Sequence, residues 1–394
     1  MELGQLSKHL LRSTVVTSLI FTGVSALAKK PKKVKLITHD QLYGNSQPVS
    51  KSKKSIINRK NTFYPLKKLT SQYTSWGIHP NVKKSNIHLG EAWRVFKKKK
   101  DIVVAVVDTG IDYKHPFLKK NIHSLSGKVN SANYGMDFSI GKKAKPAPFD
   151  KHGHGTHVAG IVKSVFPEVK ILALKYYNPE ATNNDNLKAS IKALKYAVDM
   201  NVDIINYSGG GPEPSAQELS ILKKANQKGI LVIAAAGNEE SNIDQRNKAY
   251  YPASYGLKNI ITVTAHDQDL NILSTSNWGR KTVDISAPGL RITSALPHGR
   301  SGRMTGTSQA TAFATGVAAL IKSQHPKLSS KQIKAIIIRS AGKNSKLIDK
   351  CSSGGYLNAG RALKLAGRVA NRNKSKRKLA NSDSDVKFVE AYAK

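Results

Sequence analysis

Three side chains of complementary chemistry stand in three segments rich in glycine and small residues. Asp108 lies in VAVVDTGID at 104–112, His154 in DKHGHGTHVAG at 150–160, and Ser308 in GTSQATAFATGVAAL at 306–320. A hydroxyl becomes a nucleophile when an imidazole takes its proton and a carboxylate holds that imidazole in the right tautomer. Each segment also has a plainer reading. Asp-Thr-Gly is a common turn sequence. His154 and His157 are spaced to share a helical face as metal ligands, although the His-Glu-x-x-His pattern of metalloproteases is absent. Ser308 suits a helix N-cap. A serine there also sits in the positive field of the helix N-terminus, which favours developing negative charge.

The flanking sequence indicates what must position these groups. Short apolar runs occur at 102–107, 169–174, 202–206, 230–235 and 260–264. Runs without polar alternation suit parallel strands buried on both faces. Between them, 157–165, 186–200 and 215–228 carry helical spacing, the last followed by Gly229 as a stop. Strands alternating with helices predict an α/β fold, with functional residues beyond the carboxyl ends of the strands.

In the order Asp, His, Ser, the three segments resemble those of subtilisin-like serine proteases (subtilases, peptidase S8), over about 76–366. The resemblance implies a three-layer α/β/α fold with a mostly parallel central sheet. It implies an endopeptidase that hydrolyses peptide bonds through an acyl-enzyme, with Asp108, His154 and Ser308 as its triad. Asn238, in AAAGNEE, would donate to the oxyanion. In INYSGGGP at 205–212, Ser208, Gly209 and Gly210 would bind an extended substrate, faced by a wall of Ala235, Ala236 and Gly237.

Several positions depart from familiar members of that family. Gln309 follows the nucleophile where methionine is common, and Ala312 stands where proline is frequent. Phe117 replaces the aspartate of calcium-binding members. The helix after the histidine motif also lacks their calcium-loop insertion, so no calcium is expected at that site, and neither cofactor nor metal is expected in catalysis. Tyr250 takes the position that floors the primary pocket. Asp244 resembles an acidic residue that some basic-specific members use, with a solvated loop aspartate as the alternative reading.

Composition bounds the rest. The 394 residues hold 64 Lys+Arg against 25 Asp+Glu, a net charge of +39. Such a surface favours anionic partners or polymers besides the protein and peptide substrates, yet no recognised nucleic-acid motif accompanies it. The single cysteine, Cys351, excludes an intramolecular disulfide and a zinc site of several thiolates. No apolar run reaches the length of a membrane span.

Residues 1–28 read as a signal peptide: Lys8 and Arg12 precede an apolar stretch that ends in Ala26-Leu27-Ala28. The expected organisation is therefore a signal at 1–28 and a basic extension or propeptide at 29–75. A catalytic domain at 76–366 and a basic, disordered tail at 367–394 follow. The protein is expected to be a monomer, secreted or periplasmic.

Overall fold

The computed structural model describes residues 71–82, 84–124, 134–139 and 144–373. The signal segment, most of the basic extension and the tail beyond 373 lie outside the described residues. The chain begins with α1 (Leu89–Val95), β1 (Val103–Asp108), β2 (Gly135–Asp137), β3 (Lys145–Pro146), α2 (His154–Val165) and β4 (Lys170–Lys175). Next come α3 (Asn183–Asp199), β5 (Ile204–Tyr207), α4 (Ala216–Gln227), β6 (Leu231–Ala235), β7 (Ile260–His266) and β8 (Ile285–Pro288). A hairpin, β9 (Ile292–Leu296) and β10 (Arg300–Met304), leads into α5 (Thr307–Gln324) and α6 (Ser330–Arg339). The short strands β11 (Gly342–Lys343) and β12 (Gly355–Tyr356) follow, and a last helix covers 359–373.

Ten strands form one sheet in the order β11-β12-β8-β7-β6-β5-β1-β4-β2-β3. From β12 to β2 all neighbours are parallel, and β11 and β3 close the edges antiparallel. Strands β1, β5 and β6 alternate between two apolar faces. Val104, Val106, Ile204, Leu231 and Ile233 join the core under α1, α2, α5 and α6. Ala105, Val107, Ile205, Val232 and Ala234 join the core under α3 and α4. Burial on both faces explains the unbroken apolar runs and yields the α/β/α layering expected from sequence.

Helix α5 runs through the interior, with every residue from Thr307 to Ile321 buried. It crosses α2 at Gly316, where a Cβ would lie 2.5 Å from Val165 Cβ. The run of alanines, glycine and threonines in α5 is therefore a close-packing requirement. Alternate apolar positions would be too bulky for a helix with neighbours on all sides.

Boundaries differ from expectation in places with identifiable causes. Helix α2 starts at His154 rather than 157, because Gly153 (φ 105°) turns the chain immediately before it. The β9–β10 hairpin has no apolar alternation to announce it; β10 is RSGRM and largely solvent-facing. The last helix continues past Ala366, the expected domain end.

Candidate active site

The chain leaves β1 for β4 on one side and later returns to β5 on the other, so β1 is the point where the winding of the sheet reverses. Asp108 ends that strand. In parallel sheets a crevice opens at the carboxyl end of such a strand. The Asp108 carboxylate is 3% exposed. Its Oδ1 accepts from the Thr109 backbone N–H at 2.7 Å and from His154 Nδ1 at 2.7 Å. A carboxylate only accepts, so His154 carries its proton on Nδ1, and Nε2 is left as the basic nitrogen. Burial depresses the basicity of this imidazole, but the charge of Asp108 and the shared hydrogen bond outweigh it. The net direction is above the ordinary histidine value.

A second carboxylate fixes where His154 stands. Asp150 is fully buried, and its Oδ1 accepts from the His152 and Gly153 backbone N–H groups and from Thr109 Oγ1, at 2.8–2.9 Å. Its Oδ2 accepts from the Thr156 backbone N–H and hydroxyl at 2.9 and 2.6 Å. An acidic group on free N–H groups at a helix start is favoured by the helix dipole. Thr109 Oγ1 donates to Asp150 and accepts from the Gly155 N–H at 2.9 Å, which ties the end of β1 to the start of α2. Gly155 must be glycine, because a Cβ would lie 2.1 Å from the Gly110 carbonyl oxygen. Asp150 went unassigned from sequence. The signal for it was an acidic residue just ahead of a helix start.

Ser308 is 6% exposed in the first turn of α5, after Gly306 at φ 147°. Its hydroxyl donates to the Ser208 carbonyl at 3.3 Å, at the end of the extended segment that follows β5. His154 is not its hydrogen-bond partner in this state. Catalytic hydrogen bonds of this type often align only once substrate is present. The α5–β5 junction is pinned from behind, since Thr315 Oγ1 donates to Asn206 Oδ1 at 2.8 Å and Asn206 Nδ2 donates to Ser208 Oγ at 3.0 Å.

Asn238 meets the same helix start. Its Oδ1 accepts from the Thr307 backbone N–H at 3.0 Å and from the Thr307 hydroxyl at 3.2 Å. A backbone N–H only donates, so the atom facing it is the amide oxygen, and the amide NH2 points the other way. Gly237 has φ 100° and its carbonyl accepts from Thr307 Oγ1 at 3.3 Å. The segments 208–210 and 235–237 thus approach the start of α5 from two sides. The glycines of the first are sterically required. A Cβ on Gly209 would meet the Tyr176 hydroxyl at 1.9 Å, and one on Gly210 the Tyr251 carbonyl oxygen at 2.3 Å.

Two alternatives from sequence are resolved by contacts. His157 Nε2 lies 2.9 Å from the Ile292 carbonyl, and burial lowers the pKa of the ring to about 4. It is a neutral core histidine holding β9. Asp244 accepts at Oδ1 from the Thr282 N–H at 2.8 Å and at Oδ2 from the Lys281 N–H at 2.9 Å. Both its oxygens staple the 279–282 loop.

A carboxylate, an imidazole and a helix-start hydroxyl at the carboxyl edge of a parallel sheet define the serine-hydrolase class. Residues 99–376 match the sequence profile of the subtilase family, and the chain belongs to that family. It is a serine-type endopeptidase by class. It is 36% identical over 263 residues to the major intracellular serine protease of Bacillus subtilis, covering 63% of this chain and 78% of that protein. It is 33% identical over 246 residues to subtilisin DY of Bacillus licheniformis, covering 60% of this chain and 82% of that protein. It is 35% identical over 244 residues to subtilisin amylosacchariticus, from Bacillus subtilis subsp. amylosacchariticus, covering 59% of this chain but only 58% of that one.

Proposed function

We propose that this protein is an exported endopeptidase that cleaves protein substrates with Ser308 as nucleophile, His154 as general base and Asp108 as the group that orients it. The observation that carries the reading is the 2.7 Å contact between Asp108 Oδ1 and His154 Nδ1, which leaves Nε2 as the basic nitrogen. In the first half-reaction Ser308 Oγ attacks the scissile carbonyl carbon and His154 Nε2 takes the hydroxyl proton. The negative oxygen of the tetrahedral intermediate is met by the Asn238 NH2 and the Ser308 backbone N–H. The C–N bond breaks, His154 returns the proton to the leaving amine, and an acyl-serine remains. Water then repeats the sequence to release the acid. The substrate backbone lies extended along Ser208, Gly209 and Gly210, bonded through main-chain groups.

Export rests on the pattern at 1–28, since the names of the relatives include an intracellular protease as well as subtilisins. Net charge of +39 steers acidic proteins and other anionic polymers toward the surface at low ionic strength.

The test uses the full chain expressed with its own N-terminus. A fluorophosphonate should label the wild type and block casein cleavage, and Ser308→Ala should lose both. N-terminal sequencing of the product outside the cytoplasm should show removal of at least the first 28 residues. Labelling that persists in Ser308→Ala would overturn the nucleophile assignment. An unprocessed product confined to the cytoplasm would overturn export.

A further inference from the structure

Two backbone walls, 208–210 and 235–237, flank the start of α5 that carries Ser308 and leave a slot between them. When a substrate carbonyl stands over Ser308 and its chain lies along 208–210, the side chain on the acyl side of the scissile bond points between 208–210 and 235–237. A side chain of the protein already stands there. The positions of a Cβ built on Gly210 would be 2.5 and 2.9 Å from Tyr250 Cε1 and Cζ. A Cβ built on Gly237 in the opposite wall would be 3.0 Å from Tyr250 Cδ2. Cε1 and Cδ2 are opposite corners of one aromatic ring, so the ring spans the slot from wall to wall. Glycine at both 210 and 237 is what makes room for it.

The ring is held there from its backbone. Gly211 and Tyr251 exchange two main-chain hydrogen bonds, Gly211 N–H to the Tyr251 carbonyl at 3.0 Å and Tyr251 N–H to the Gly211 carbonyl at 2.8 Å. The Tyr250 N–H donates to Ser254 Oγ at 3.1 Å. The residue that carries the ring is thereby stapled to the end of the very wall the ring leans on. The ring also packs on the satellite core formed by Ala236, Ile243 and Ala253. Burial pushes the phenol well above its ordinary range, so it is neutral in use, and the Glu239 carboxylate nearby is occupied by Asn277 Nδ2 at 2.6 Å. The slot therefore offers neither depth for a large side chain nor a free charge for a basic one.

We infer that Tyr250 is the specificity-determining residue of this enzyme and that it restricts cleavage to the carboxyl side of residues with small side chains, such as alanine, serine and glycine. The inference rests on the proteolytic reading above and adds its substrate class. An apolar pocket discriminates by about 10–200-fold per methylene of misfit, so the preference should be large.

The test is a series of tetrapeptide p-nitroanilides that differ only in the last residue: alanine, leucine, phenylalanine or lysine. It is run on the full-length, export-processed enzyme after active-site titration with a fluorophosphonate. The wild type should favour alanine over phenylalanine by at least about tenfold in kcat/KM. Tyr250→Gly should shift the phenylalanine-to-alanine ratio by about a hundredfold or more toward phenylalanine, whereas Tyr250→Phe should keep the wild-type ratio, because ring volume and not the hydroxyl closes the slot. A titratable wild type that cleaves after phenylalanine or leucine as fast as after alanine would overturn the inference while leaving the protease reading intact. So would an unchanged ratio in Tyr250→Gly. Failure to titrate and to cleave any member of the series would overturn both. The wild-type profile alone decides the matter if the glycine variant does not fold.

Discussion

The cap observed at Asn238 and the oxyanion role proposed for it use the two ends of one amide, and they can be separated experimentally. Its oxygen accepts from Thr307 N–H at 3.0 Å at the start of α5, and Thr307 is fully buried. Its NH2 is free to face a substrate oxyanion. Asn238→Ala removes both functions. Leaving the Thr307 N–H without its acceptor costs about 1–3 kcal/mol of stability, or a fall of about 2–4 °C in Tm per kcal/mol for a domain of this size. Loss of the oxyanion donor costs about 10²–10³ in kcat, or about 2.7–4 kcal/mol, by the measure of the corresponding change in subtilisin. Asn238→Asp retains an oxygen toward Thr307 and so should keep Tm near wild type. It replaces the donor with a second acceptor, so kcat should fall at least as far as in the alanine variant. Thermal melts and steady-state kinetics on a soluble peptide measure the two effects in the same preparations. If Asn238→Asp keeps both Tm and wild-type kcat, the amide is a structural cap for α5 and the oxyanion assignment is wrong.

Four further outcomes are expected. The acid limb of kcat/KM should have its midpoint above the ordinary histidine value of 6.5, since Asp108 raises His154 and only the neutral imidazole is a base; Asp108→Asn should move the midpoint downward, with a loss of about 10⁴ in kcat. The same raised pKa makes this pair contribute stability that is full below the unfolded-state pKa and lost as pH rises through the folded-state value, so Tm against pH should flatten in Asp108→Asn. Lys163 donates to the Phe117 carbonyl, and its ammonium lies 4.3 Å over the Phe117 ring, so a resident cation links α2 to the 115–118 turn. Lys163→Ala should cost about 1–2 kcal/mol, while a chelator should leave the wild-type Tm unmoved; a chelator-induced fall would contradict the account. With the buried Gln309 beside Ser308 in place of a thioether, activity should survive dilute peroxide, and rapid loss would reject that reasoning.

What could be read from sequence was whatever announces itself by local pattern. The five apolar runs became β1, β4, β5, β6 and β7 because strands buried on both faces need unbroken apolar side chains. Asp108, His154 and Ser308 stood out because each lies in a segment whose glycines are demanded by close approach, as at Gly155 against Gly110. Features created only by tertiary contact were not legible. Asp150 reads as one more loop aspartate until five donors converge on it. Asp244 has the composition of a pocket acid, and only the 279–282 loop closing over its two oxygens shows it to be a staple. The β9–β10 hairpin, with its exposed RSGRM strand, lacks the alternation that a half-buried strand displays. Tyr250 was visible as an unusual residue at an informative position, but its ring could be placed only once Gly210 and Gly237 were seen to flank it.

The burial of α5 carries a consequence for the life history of the molecule. Ser308 rides on the first turn of a helix that has no solvent-facing side over most of its length, and the partners proposed for it come from the end of β1 and the start of α2. Ser308 stands at that end of the sheet only when α5 is packed among β5, β6 and α2. An unfolded chain therefore holds all the components of a protease yet none of the activity. The difference between harmless polymer and hydrolytic enzyme is the assembled packing around a single helix.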